Sequence, residues 1–248
     1  MGKSTWLMNI LVHNAMRGKK VVNFSAELSP DRYAQMVAAS LLNKGRNNIQ
    51  KPDYDAASEK MPNEMLYIGY KPGASITDVL KLLAETKQVY GGDIFVIDPI
   101  HFIVKSTESN ENAVMASAMK ACVDFAIKWD VVMIVVGQAR KSAAGIRGRA
   151  AQSQDARGTS SLSEDAATTF IIHRERKAEG EGGGALYENK TLISLDKSRN
   201  SEPQSGYLMF DGETATFREC LPETVTAPPT RAQEIEAYFN EETDAIEP

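Results

Sequence analysis

The sequence predicts an α/β fold: a mostly parallel sheet with helices on both faces, followed by C-terminal antiparallel hairpins added to the sheet's edge. Three observations carry this. Short β-branched runs alternate with amphipathic stretches over the first 138 residues, the pattern of βα units. Two of those runs, "DIFVID" and "VVMIVVGQ", are nearly continuous in apolar residues, as strands covered on both faces are. From residue 168 onward the pattern becomes strand, turn, strand, which reads as hairpins.

The elements follow in order. "WLMNILVHNAMRG" has apolar residues at helical spacing, with Gly18 placed to end the helix. "KKVVNFSAEL" reads as a buried strand and "PDRYAQMVAASLL" as a second helix. Residues 44–63 are polar and irregular, with only a weak helical pattern. "MLYIGY" is a short strand. "SITDVLKLLAETKQVYGG" opens on Ser75, a natural N-cap, and closes on glycines. "DIFVID" is a strand, "NENAVMASAMKACVDFAIKWD" a long amphipathic helix, and "VVMIVVGQ" the next strand. "TTFIIHRE", "KTLISLDKS", "GYLMFD" and "ATFREC" are the hairpin strands, with "EGEGGG" between the first two. Residues 1–220 therefore form one domain. Residues 221–248 begin with prolines and end in "EIEAYFNEETDAIEP", an acidic, flexible tail without a core.

Composition narrows the function. The chain has 248 residues, 42% hydrophobic and 25% charged, which suits one globular domain. A net charge of -5 argues against a protein that coats nucleic acid generally, but not against a local basic patch. Cys122 and Cys220 have no metal spacing, which fits a reducing compartment and no structural zinc. No apolar run approaches the ~18 residues that a membrane span needs.

The motifs all fall at expected strand ends or helix starts. Gly2-Lys3-Ser4-Thr5 directly precedes a helix and is the second half of a phosphate-binding loop. In such a loop the N–H groups of the helix start bind phosphate, Lys3 reaches the β- and γ-phosphates, and Ser4 ligates Mg²⁺. Asp98 closes an apolar strand, where a carboxylate can hold the Mg²⁺ shell. Glu27 ends the strand "VVNFSAE" at the sheet edge where α/β folds bind ligands, placed to activate water. Gln138 ends "VVMIVVGQ" and can sense the γ-phosphate. The segment after it carries Lys141, Arg147, Arg149 and Arg157 against a single acid, Asp155, among Ala, Gly and Ser. That composition suits a mobile loop gripping a nucleic-acid backbone. Lys197 and Arg199 lie two apart near a turn. They either hold an anion together, as a finger offered to a neighbouring subunit, or are solvent-facing cations guarding an edge strand.

Taken in order, "MGKST", "VVNFSAELS", "DIFVIDPIHFI", "VVMIVVGQARK" with "ARGTSSLSEDA", and "LDKSRNSEPQSGYLMFDGETATF" resemble the RecA-type ATPase domain of the hexameric replicative helicases. The relatives are the DnaB-like proteins and the helicase half of phage primase-helicases. The resemblance covers about residues 1–218. It implies a RecA-like P-loop NTPase core and an ATP-dependent DNA helicase that uses Mg²⁺. It also implies translocation on single-stranded DNA as a hexameric ring, in a bacterial or phage-infected cytoplasm. Lys3, Ser4 or Thr5, Glu27, Asp98 and Gln138 then take the roles given above. The loop ending in Arg157 grips DNA, and Lys197 with Arg199 reaches the neighbouring subunit's ATP. A primase or polymerase partner is implied as well, the acidic tail being one docking candidate.

Pro99 and His101 depart from the family pattern, and packing is the expected role of His101. Relatives often have methionine just before this Gly-Lys-Ser/Thr, so Met1 is expected to lie inside a longer chain's phosphate loop. The chain alone would then bind ATP poorly. Two alternatives stay open: another RecA-like motor of the RepA or RadA kind, and a degenerate DNA- or replisome-binding module without turnover.

Overall fold

The computed structural model describes residues 2–104, 110–138, 160–176, 187–202 and 204–220. Met1–Arg218 form one compact unit. The basic segment with Lys141, Arg147, Arg149 and Arg157, the glycine-rich "EGEGGG" and the acidic tail lie outside the described residues.

The first layer is built as the apolar spacing requires. Helix α1 (Lys3–Met16) is followed by β1 (Val21–Ser25), α2 (Pro30–Leu42), α3 (Lys51–Lys60), β2 (Leu66–Gly69), α4 (Ile76–Tyr90), β3 (Ile94–Asp98), α5 (Glu111–Trp129) and β4 (Val132–Val135). The strands form a parallel sheet in the order β2-β1-β3-β4. All five residues of β1 and all five of β3 are buried, which explains why neither run alternates. One face carries Val22, Phe24, Phe95 and Ile97 and packs on Val79 and Leu83 of α4 and on Met115, Cys122 and Phe125 of α5. The other carries Val21, Ile94 and Val96 under Leu7, Leu11 and Ala15 of α1.

Local signals set the helix ends. Ser75 caps α4 by accepting the Asp78 N–H, and the Asp78 carboxylate accepts the Ser75 N–H in return, a reciprocal capping box. Gly18, just past α1, has φ +80, a conformation glycine adopts without strain. The irregular segment 44–63 turns out to contain helix α3. Asp53 holds its first turn by accepting the Gln50 N–H at 2.7 Å and pairing with Lys44 at 2.7 Å, a polar anchor that apolar periodicity does not reveal.

A short helix α6 (Ser160–Asp165) leads into β5 (Thr168–Arg176), β6 (Tyr187–Ser198), β7 (Gln204–Asp211) and β8 (Thr216–Glu219). These four strands form a second sheet in chain order. The expectation of hairpins added to the parallel sheet's edge is corrected here: among the described residues no ladder joins the two sheets. They meet instead through α1 and α2. Asn9 donates to the Ala215 carbonyl at 2.9 Å and accepts the Phe217 N–H at 2.7 Å. Ala215 packs with Met8, Val12, Tyr33, Met36 and Val37, and Trp6 meets Phe170 at 5.8 Å between ring centroids. No helix among the described residues is long and apolar enough to cross a membrane.

Candidate active site

The site begins where α1 begins. Gly2 is its N-cap, in the left-handed region at φ +99. A Cβ there would be strained, and would stand 3.4 Å from Phe217 Cζ and 3.7 Å from Arg174 Cδ. The first helical hydrogen bond runs from the Trp6 N–H to the Gly2 carbonyl at 2.9 Å. The N–H groups of Lys3, Ser4 and Thr5 precede it, and so have no acceptor within the helix. Together with the dipole of a 14-residue helix, they favour an anion at this end.

Asp98 meets this helix start from β3. It shares the sheet face of Ile94 and Val96, the α1 side, because side chains two apart on a strand point the same way. Its carboxylate is buried, and the nearby Ser4 hydroxyl favours its charged form. Burial pushes its pKa up from the ordinary 3.8 to about 6. Ser4 and Lys3 pull it down, and the charge of Glu27 adds to the rise. Gly2, Lys3, Ser4, Asp98 and Glu27 are therefore one electrostatic group, assembled from three separate stretches of chain.

The Ser4 hydroxyl and the Asp98 carboxylate are hard oxygen donors lying side by side, and they fit Mg²⁺. Among the described residues no cluster of three His, Cys, Asp or Glu side chains could cage a metal.

Glu27 and Gln138 sit differently from expectation. Strand β1 ends at Ser25 and β4 at Val135, so both residues lie in the segments just beyond their strands. Ser25 explains the first case. Its hydroxyl accepts the Leu28 N–H at 3.0 Å and donates to the Leu28 carbonyl at 2.8 Å, closing a turn with Glu27 inside it. The Ala26 N–H donates to the Asp98 carbonyl at 2.8 Å, which keeps this turn beside β3.

Lys197 and Arg199 are corrected as a strand pair. Lys197 lies within β6, while Arg199 follows its end at Ser198. Lys197 Nζ donates to the carbonyls of Ser163 at 2.7 Å and Glu164 at 2.6 Å, neutralising the C-terminal end of α6. Arg199 is exposed, and its backbone N–H donates to the Ala167 carbonyl at 3.2 Å. Among the described residues, no hydrogen bond or ion pair joins either side chain to the Gly2–Asp98 group.

The sequence reading missed Arg174. Its guanidinium lies 4.3 Å over the Phe210 ring and 5.9 Å from Tyr187, and its Nε donates to the Glu188 carbonyl at 2.8 Å. Phe210 in turn meets Phe217 at 5.0 Å between centroids. This flat cationic and aromatic shelf abuts Gly2. Its signal was faint: one of two arginines in the strand "TTFIIHRER" and aromatics in three later strands. Also unforeseen were Asn23 and Tyr33, both fully buried, whose amide and hydroxyl have no hydrogen-bond partner among the described residues. Burial, with the Asp98 charge second, pushes the Tyr33 phenol above its ordinary value, while the nearby Asn23 amide pulls it down without forming a well-aligned hydrogen bond.

The profile of the DnaB-like helicase C terminal domain matches residues 1–219. Two solved structures are similar in fold. One, an ATPase domain, superposes with a TM-score of 0.75 at 17% identity, covering 89% of this chain and 81% of that one. The other, a DnaB-like replicative helicase solved for its interactions with primase, gives a TM-score of 0.76 at 18% identity. There the match covers 89% of this chain and 56% of that one, so this chain spans little more than half of that helicase. No curated protein matches by sequence.

Proposed function

This chain belongs to the DnaB-like helicase C-terminal domain family, and on that premise we propose that it is an ATP-driven motor domain. It translocates on single-stranded DNA as part of a hexameric ring in replication, in a bacterial or phage-infected cytoplasm. The observation that carries this reading is the meeting of Lys3, Ser4 and Glu27 around the buried Asp98 carboxylate at the N-terminus of α1.

Each group then has a task. The N–H groups of Lys3, Ser4 and Thr5 bind phosphate oxygens, and Lys3 supplies a positive charge to the β- and γ-phosphates. Gly2 is needed because the N-cap backbone lies at φ +99, a conformation that strains any residue with a Cβ. Ser4 and Asp98 would hold Mg²⁺, which when bound neutralises charge on the transferring phosphoryl group. Glu27 orients the attacking water and takes its proton. Gln138 contacts the γ-phosphate and reports its presence to the segment that follows. The Arg174–Phe210 shelf receives the planar base, stacking against guanidinium and ring. Arg199 of one subunit reaches the ATP of the next. The segment with Lys141, Arg147, Arg149 and Arg157 holds the DNA backbone. Residues 1–220 are the motor domain, and the tail at 221–248 offers acidic docking to a basic partner such as a polymerase or primase.

The test is steady-state ATP hydrolysis by the protein expressed with any coding sequence upstream of Met1. Glu27→Gln keeps nucleotide affinity and lowers kcat by about 10²–10⁴-fold, the usual worth of a general base. Hydrolysis at the wild-type rate in this variant would remove Glu27 from the mechanism. A wild-type protein that binds DNA without turnover would establish a binding module instead.

A further inference from the structure

The chemistry above leaves His101 without a task. The β3 backbone can pair with the β4 extension only so far. The Val136 N–H donates to the Ile97 carbonyl at 2.9 Å, and the Ile100 N–H donates to the Val136 carbonyl at 3.1 Å. Beyond this point the ladder fails. Pro99 has no N–H to offer, and Ile100–Phe102 turn into a 3-10 coil. The next hydrogen bond is made by a side chain: the Gln138 N–H donates to His101 Nδ1 at 3.3 Å. An accepting Nδ1 must be unprotonated, which in the neutral ring puts the proton on Nε2.

Gly137 lies between His101 and α6. A Cβ there would stand 3.3 Å from Leu162 Cδ1 and 3.8 Å from His101 Cε1. The ring and α6 thus close on the backbone from which Gln138 projects. His101 lies three residues after Asp98, so one side chain spans from the segment behind the Mg²⁺-side carboxylate to the γ-phosphate side.

We propose that His101 is a positioning residue: its Nδ1 fixes the Gln138 backbone so that the Gln138 amide is held at the γ-phosphate while Asp98 faces the metal. The inference rests on the reading of Gln138 as the γ-phosphate contact. His101 itself touches no nucleotide. Its loss therefore changes the rate of the chemical step and leaves binding in place, because misplacing a catalytic group slightly is costly even when the ligand still binds.

The experiment compares wild type with His101→Leu, His101→Asn and His101→Gln, using the protein expressed with any coding sequence upstream of Met1. Hydrolysis is measured at varied ATP, and a fluorescent ATP analogue gives the affinity directly. His101→Leu is expected to lower kcat roughly 10- to 100-fold, with KM and the analogue's Kd within about twofold. Asn carries its amide oxygen at the position of Nδ1 and restores most of kcat. Gln carries it one carbon farther and does not. If the Leu variant fails to fold, the Asn and Gln pair decides alone. Wild-type kcat in His101→Leu, or an Asn variant no better than Gln, overturns the proposal while leaving the motor reading intact. A wild-type protein without hydrolysis overturns both.

Discussion

At the scale of one residue, the burial of Asp98 carries a cost in stability that its proposed role would explain. Its carboxylate is buried and its pKa is pushed up from the ordinary 3.8 to about 6, burial being the largest cause. A carboxyl that is harder to ionise in the folded state destabilises that state wherever it must be charged. That cost is fully present above about pH 6 and shrinks as pH falls, vanishing below the unfolded value. The rise corresponds to roughly 3 kcal/mol at neutral pH. Asp98→Asn should therefore raise the Tm of the nucleotide-free protein at pH 7, with a gain that fades toward pH 4, while ATP hydrolysis is lost. Thermal denaturation at the two pH values checks this. An Asn variant less stable than wild type at pH 7 would mean that the Ser4 and Lys3 contacts outweigh desolvation. Asn23 and Tyr33, buried behind the same strand face without partners among the described residues, are further polar groups whose burial a purely structural core would avoid.

Elements that depend on local chemistry were legible; elements that depend on distant contacts were not. The capping box of α4 is written in four consecutive residues, Ser75 to Asp78. Ser75→Ala should cost about 1 kcal/mol, read as a lower urea midpoint with an unchanged slope, while an unchanged midpoint would show that α4 is held by packing alone. The parallel strands were likewise clear from β3, whose continuous apolar run needs cover on both faces. Helix α3 was obscure because its first turn is fixed by Lys44 and Asp53, not by an apolar stripe. The docking of the second sheet was also hidden. It rests on Asn9 bonding to Ala215 and Phe217, more than 200 residues away in sequence. In the candidate site, the proposed roles of Lys3, Ser4 and Asp98 come from motif spacing. The Arg174–Phe210 shelf was missed because only the folded sheets bring those strands beside Gly2. The His101–Gln138 bond has the same character, joining residues 37 apart.

At the scale of the whole molecule, the account needs more than one copy of this chain. On the proposed reading the Gly2–Asp98 group binds phosphate and metal, and among the described residues no arginine is hydrogen-bonded or ion-paired to it. Arg199 is exposed at the end of β6, while Lys197 is engaged with α6. A ring would bring the Arg199 of one subunit to the nucleotide of its neighbour, where such a finger contributes about 10³–10⁵ in rate. The most direct measurement is ATP hydrolysis with and without single-stranded DNA, for wild type, for Arg199→Ala, and for a mixture of Arg199→Ala with Glu27→Gln. DNA-stimulated turnover is expected in wild type, almost none in either variant alone, and partial recovery in the mixture. Recovery follows because some interfaces there pair an intact Glu27 with an intact Arg199. Normal hydrolysis by Arg199→Ala, or no recovery on mixing, would contradict a site shared between subunits.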